Sequence, residues 1–188
     1  MSDLVLDPTQ SRVRIQTFAE GLFARLAHDL ELVCGELSGH ATRAEGRPDA
    51  GSATIEAPLR GFSVGGVVGR DGRIDERGLN PSERHECLAK MHSDVFHSRP
   101  DGLILVQLQL DGPSARVRVV PPNGKAVEVV MKPEVRMDGD AVLASGSFEL
   151  SLMAIGSDVV KGPMGAFRVK DRVKVLFDVR FAPASQPA

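Results

Sequence analysis

Apolar and polar residues alternate with a period of two along most of the chain. Val13, Ile15 and Thr17 alternate with Arg12, Arg14 and Gln16, the pattern of a strand with one buried and one wetted face. Ala53, Ile55, Ala57 and Leu59 share a parity against Ser52, Thr54 and Glu56. Ile104, Val106, Leu108 and Leu110 face away from Gln107 and Gln109. Val117 and Val119 oppose Arg116 and Arg118, and Val127, Val129 and Met131 oppose Glu128 and Lys132. The longest runs come late: Val142 to Leu152 with Ser145, Ser147, Glu149 and Ser151 on the wet side, then Val173 to Phe181 against Lys174, Asp178 and Arg180. With weaker segments over 36–42 and 62–68, the pattern predicts about eight or nine strands. Asp71-Gly72, Asp111-Gly112, Asn123-Gly124 and Asp138-Gly139 punctuate them. The last two read as two-residue hairpin signals.

One segment breaks the period. Asn80-Pro81-Ser82-Glu83 is a helix start, with an N-cap, a proline at the first helical position and a glutamate three residues after the cap. The helix is predicted over 81–95, with Arg84, Cys87, Leu88, Met91 and Val95 as its buried stripe. A shorter helical turn is predicted at 22–26 and a loop at 156–165. One domain should cover 1–182, followed by a frayed tail at 183–188. Many short, one-faced strands and a single helix predict an all-β fold, an antiparallel barrel of about eight strands carrying one helix. A sandwich is the competing arrangement.

Composition narrows the partners. The 188 residues carry 23 Lys and Arg against 25 Asp and Glu, a balance that argues against a nucleic-acid module. There is no Trp or Tyr and only eight Phe, too few for a stacking platform. Met1 to Pro8 lacks the basic and apolar run of a secretory leader, and no stretch has the ~18 apolar residues of a membrane span. The expectation is a cytoplasmic protein without stable membrane insertion, its Cys34 and Cys87 both free thiols.

Candidate chemistry is sparse. His28-Asp29 is the most conspicuous pair, but neighbours on an extended segment point to opposite faces. A structural role is favoured: His28 ends the short turn and Asp29 caps it. His85 and His92 stand seven apart, ~10 Å along a helix, too far to share one ion, and His40 and His97 have no neighbouring ligand cluster. No metal site and no cofactor are expected. Neither cysteine has the setting of a nucleophile. Gly65-Gly66-Val67-Val68-Gly69 has the wrong spacing for a phosphate cradle.

The order of these parts is similar to that of the YceI-like family. Leu6-Asp7-Pro8-Thr9-Gln10-Ser11-Arg12-Val13 resembles the family's first strand, and Gly21 to Asp29 its glycine, short turn and histidine. The helix from Ser82 to Val95, the Pro121 to Val127 hairpin, the Phe148 to Gly156 element and the Val173-Lys174-Val175 strand follow in the family's order. Two features depart from it. Gly78-Leu79-Asn80-Pro81 stands where relatives carry an aspartate and a histidine, and Ile155 replaces a phenylalanine.

The resemblance implies a lipocalin-like barrel of the polyisoprenoid-binding type. Pattern alone leans to a packed core; the resemblance reverses that order, because an apolar cavity is what a lipid chain needs. The residues it marks for ligand contact are Phe18, Leu22, Phe23, Leu26, Phe62, Met91, Val106, Leu108, Val129, Phe148, Leu150 and Phe177. The expected function is a non-catalytic carrier of an amphiphilic, isoprenoid-like or quinone-like lipid, with homodimerisation left open. The alternatives are a barrel lyase or cyclase using His28 or His40 at the cavity mouth, or a filled barrel acting as an interaction protein.

Overall fold

The computed structural model describes residues 2–22, 24, 27–44 and 47–184. The strands are β1 Ser2–Leu6, β2 Arg12–Thr17, β3 Ala19–Glu20, β4 Leu30–Cys34, β5 Ser38–Ala44, β6 Arg47–Pro58, β7 Phe62–Val68 and β8 Ile74–Asp75. After the helix come β9 Leu103–Asp111, β10 Ser114–Val120, β11 Val127–Met131, β12 Glu134–Asp138, β13 Ala141–Ser151, β14 Arg168–Val169 and β15 Arg172–Pro183.

Several segments are halves of one bent strand. β1 and β2 lie along the same edge of β15, through Leu6↔Phe181 and Arg12↔Asp178. The bend between them is built by side chains: the Asp7 carboxylate accepts the Thr9 N–H at 3.0 Å and the Gln10 amide at 2.8 Å, and the Ser11 hydroxyl accepts the Arg180 N–H at 3.0 Å. Hydrogen bonding, foremost from the Thr9 side chain, holds the Asp7 carboxyl below its ordinary range. β4 and β5 bend likewise at 35–37 and pair β2 and β1 respectively. β6 and β7 are joined by a 3₁₀ turn at Leu59–Gly61 and pair β5 and β4. β11 and β12 bend at Lys132-Pro133, and pair β10 on one side and β13 on the other.

Taken as bent strands, β1/β2, β4/β5, β6/β7, β9, β10, β11/β12, β13 and β15 pair in chain order, each antiparallel to the next, and β15 returns to β1/β2. The result is an all-β, lipocalin-like curled sheet. The wall opens at a seam, because β11 has no ladder to the second half of β13. There the Met131 side chain leans across: a Cβ built on Gly146 of β13 would stand 2.9 Å from its Cε. Beyond Pro58, which pairs with Leu103, β7 loses its β9 neighbour, and the helix covers that end.

The helix α1 spans Pro81–Lys90 and is capped as the sequence predicts. It does not continue as α-helix to Val95. Met91–Val95 form a π-helical turn, in which the Phe96 N–H reaches the Met91 carbonyl at 3.1 Å. The wider turn brings Met91, Val95 and Phe96 all into the core, more burial than a straight α-helical stripe gives. Arg84, Cys87 and Leu88 are only half-buried. The Arg84 guanidinium donates to the Val64 carbonyl at 2.5 Å and to the Leu79 carbonyl at 3.3 Å, pinning α1 to β7.

Turn chemistry differs from expectation in two places. The β12–β13 hairpin pairs Asp138 with Ala141, so its two loop residues are Gly139 and Asp140, with Gly139 at φ 58°. The Asn123-Gly124 turn is part of a longer loop, since Pro121 and Pro122 have no N–H to extend the ladder from Val119↔Val127. Asn123 instead donates its side-chain amide to the Ile155 carbonyl at 2.9 Å, tying this loop to the segment after β13. Pro183, expected in the loose tail, is the last residue of β15 and pairs with Leu4. Residues 185–188 of that tail lie outside the described residues.

Candidate functional site

The inward faces do not fill the barrel. They enclose a cavity of ≈ 490 Å³ that runs from the helix end to the hairpin end, within the usual size range for small-molecule sites. The parity sets supply its walls: Val13 and Ile15 from β2, Ala53 and Ile55 from β6, Val106 and Leu108 from β9, Val117 and Val119 from β10, Ala144 and Phe148 from β13, Val175 and Phe177 from β15. Small side chains create the space. Ala41, Ala53, Ala57 and Ala144 are among the lining residues, and each leaves volume that a larger side chain would fill.

Polar groups gather at the ends. At the helix end, Glu83, Glu86 and Lys90 of α1 face His28 and Lys161 from two loops. Those loops are held side by side by β3 and β14, through Val169↔Ala19 and Arg168↔Glu20. Phe167 lies directly over Gly162, where a Cβ would strike its ring at 2.3 Å, so glycine there lets the ring fold down beside the entrance. At the hairpin end, Arg43 of β5 reaches the cavity.

Of the residues expected to contact a ligand, Phe18, Phe62, Met91, Val106, Leu108, Phe148, Leu150 and Phe177 border this cavity. Leu22 does not: it is 86% exposed. Its helical spacing was misleading because Gly21, at φ 110°, turns the chain outward after β3. The Ala24 N–H then bonds the Gly21 carbonyl at 3.1 Å and the Ala27 N–H bonds the Ala24 carbonyl at 3.0 Å; the rest of the turn expected at 22–26 lies outside the described residues. Val129 is half-buried opposite Val117 and packs on the core without reaching the cavity. Phe23 and Leu26 lie outside the described residues. Sequence reasoning missed Arg43, Lys161 and Phe167. Arg43 carried a usable signal, since it shares the parity of Ala41 on β5.

Asp29 caps no turn; its carboxylate accepts the Ala19 N–H at 2.8 Å and so fastens β3. His28 is exposed at the entrance and His40 is exposed on β5. His97 approaches Asp158 at 3.8 Å. His92 is half-buried with its Nδ1 unpartnered, and loss of hydration lowers its pKa. Cys34 is fully buried, and burial pushes its thiol up to about 11. Cys87, at the cavity rim, is raised by burial first and then by Glu86 and Glu83. Both are free thiols. Among the described residues no three His, Cys, Asp or Glu side chains converge as a metal site, and no helix is long and apolar enough to cross a membrane.

No family model and no curated protein matches the chain. Among solved structures it is similar to the crystal structure of Burkholderia cenocepacia BcnA. The superposition has a TM-score of 0.63 at 15% identity and covers 93% of this chain and 98% of that one. At such identity the likeness is one of fold: a lipocalin-like, all-β architecture over nearly the full length of both chains.

Proposed function

We propose that the protein is a non-catalytic carrier that sequesters an amphiphilic, isoprenoid-like or quinone-like lipid inside the barrel. The observation that carries this reading is the cavity of ≈ 490 Å³ walled by valine, leucine, isoleucine, phenylalanine and alanine side chains. Leaving such a volume unfilled costs packing energy, roughly 20 cal/mol for each Å² of cavity surface. An apolar ligand recovers that contact and leaves water, at about 25 cal/mol per Å² of apolar area buried. Its partner is a small lipophilic molecule and not a nucleic acid, and the two free thiols suit a cytoplasmic setting.

The non-catalytic reading is supported by the positions of the histidines. His40 sits on an exposed face, and Asp29 beside His28 spends its carboxylate on the Ala19 backbone. Among the described residues neither histidine makes a side-chain hydrogen bond or ion pair with a carboxylate, the contact an acid–base pair uses.

Calorimetric titration with geranylgeraniol tests the proposal, with Ala53→Phe as the blocked variant. Ala53 faces the cavity from mid-barrel, opposite Leu108 and Ala41 in register, so a phenyl ring there fills the lumen. Saturable one-to-one binding by the wild type, lost in a folded Ala53→Phe protein, supports the carrier. Absence of binding to the wild type, or equal binding to both, contradicts it.

A further inference from the structure

Building on the carrier reading, we propose that the ligand is an anionic amphiphile whose head group pairs with Arg43 at the hairpin end of the barrel. Alternate residues of β5 face the lumen, and Arg43 is the last of them, two after Ala41. The strand pairing places it opposite Gly51 of β6 and Ser2 of β1. Gly51 has no side chain, and a Cβ built there would strike the Thr42 carbonyl at 2.3 Å.

Its reach is long. Arg43 Nη1 donates to the sulfur of Met137 on β12 at 3.1 Å. In the ring of strands, β5 and β12 are four places apart in either direction, so this exposed contact joins two opposed strands at the hairpin end of the cavity. A thioether is a weak acceptor, and a guanidinium carries five N–H donors in a planar fork. No described carboxylate lies within ion-pair range of Arg43. The acids at this end serve other arginines: Arg47 pairs with Asp49 at 3.5 Å and with Asp111 at 3.4 Å, and Arg180 pairs with Asp138 at 2.5 Å.

The apolar cavity thus ends near a cation whose one side-chain hydrogen bond among the described residues is to sulfur. Displacing the soft Met137 contact opens the fork to a carboxylate or a phosphate monoester, the groups that match it with two parallel hydrogen bonds. The opposite mouth offers no such preference. There Glu83 and Glu86 offset Lys161 and His28, and Lys90 pairs with Asp94 at 3.7 Å. The head lies at Arg43 and the tail runs toward α1.

The test compares three probes of one chain length: dodecanoic acid, dodecyl phosphate and methyl dodecanoate. Each is titrated into wild type, Arg43→Met, Arg43→Lys and Arg47→Gln, the last at a cation of the same end that does not line the cavity. The wild type should bind at least one anionic probe tighter than the ester by roughly tenfold or more, equivalent to about 1.4 kcal/mol. Whichever anion gains more names the head group as carboxylate or phosphate. Arg43→Met should lose the preference while its affinity for the ester stays unchanged, Arg43→Lys should keep part of it, and Arg47→Gln should keep it all. Equal affinity of the wild type for acid and ester, or a preference that survives in Arg43→Met or disappears in Arg47→Gln, overturns the head-group assignment. Failure of the wild type to bind any of the three overturns the carrier reading itself.

Discussion

Asn80 and Glu83 hold each other's backbone. The Asn80 side-chain carbonyl accepts the Glu83 N–H at 3.0 Å, and the Glu83 carboxylate accepts the Asn80 N–H at 2.8 Å. This reciprocal cap fixes the start of α1 where Glu83 borders the cavity entrance. Asn80→Ala should cost about 1 kcal/mol, read as a lower urea midpoint at unchanged slope. Ligand affinity should be unaltered, because Asn80 does not border the cavity. An unchanged midpoint would show that the cap contributes nothing.

Two leucines separate packed core from ligand wall. Leu59 is fully buried away from the cavity, whereas Leu108 is half-buried on its wall. Leu59→Ala should therefore cost about 2–5 kcal/mol. Leu108→Ala removes side-chain atoms that face open space and should cost the ligand-free protein much less. Its effect should appear in ligand affinity, by up to ~0.8 kcal/mol for each methylene contact removed. Equal large losses for the two variants, with and without lipid, would mean that the barrel is packed.

Cys34 gives a pH dependence with a definite sign. Its thiol is raised by burial from 9.0 to about 11, so the folded state holds its proton where the unfolded chain releases it. The associated stability is fully present below pH 9 and is lost as pH rises toward 11. The chain has no Tyr to titrate in that window. Denaturation midpoints measured from pH 8 upward should fall less steeply for Cys34→Ala than for the wild type. Parallel slopes would contradict the assignment.

Legibility followed the physics of each element. Inward parity was readable wherever a strand ran long enough to repeat, so β6, β9, β13 and β15 and most of the cavity wall could be anticipated. The bends could not, because they depend on contacts distant in sequence: Ser11 meets Arg180, and Asp7 and Ser11 convert one strand into β1 and β2. β4 and β12 are each five residues long, too short for alternation to stand out. Leu22 was misassigned because spacing alone cannot register the positive φ of Gly21. Arg43 escaped notice for the converse reason: it shares the inward parity of Ala41, but a charged residue at the end of a strand reads as wetted surface.

The most direct test of a hollow, lipid-holding barrel is gentle-ionisation mass spectrometry of the protein purified from its own host, beside Ala53→Phe prepared identically. The account predicts a wild-type species heavier than the chain by the mass of one lipid, shed on collisional activation, and an Ala53→Phe protein at the chain mass alone. A wild type that carries no adduct and takes up no added geranylgeraniol, or an Ala53→Phe protein that retains the same adduct, would contradict it.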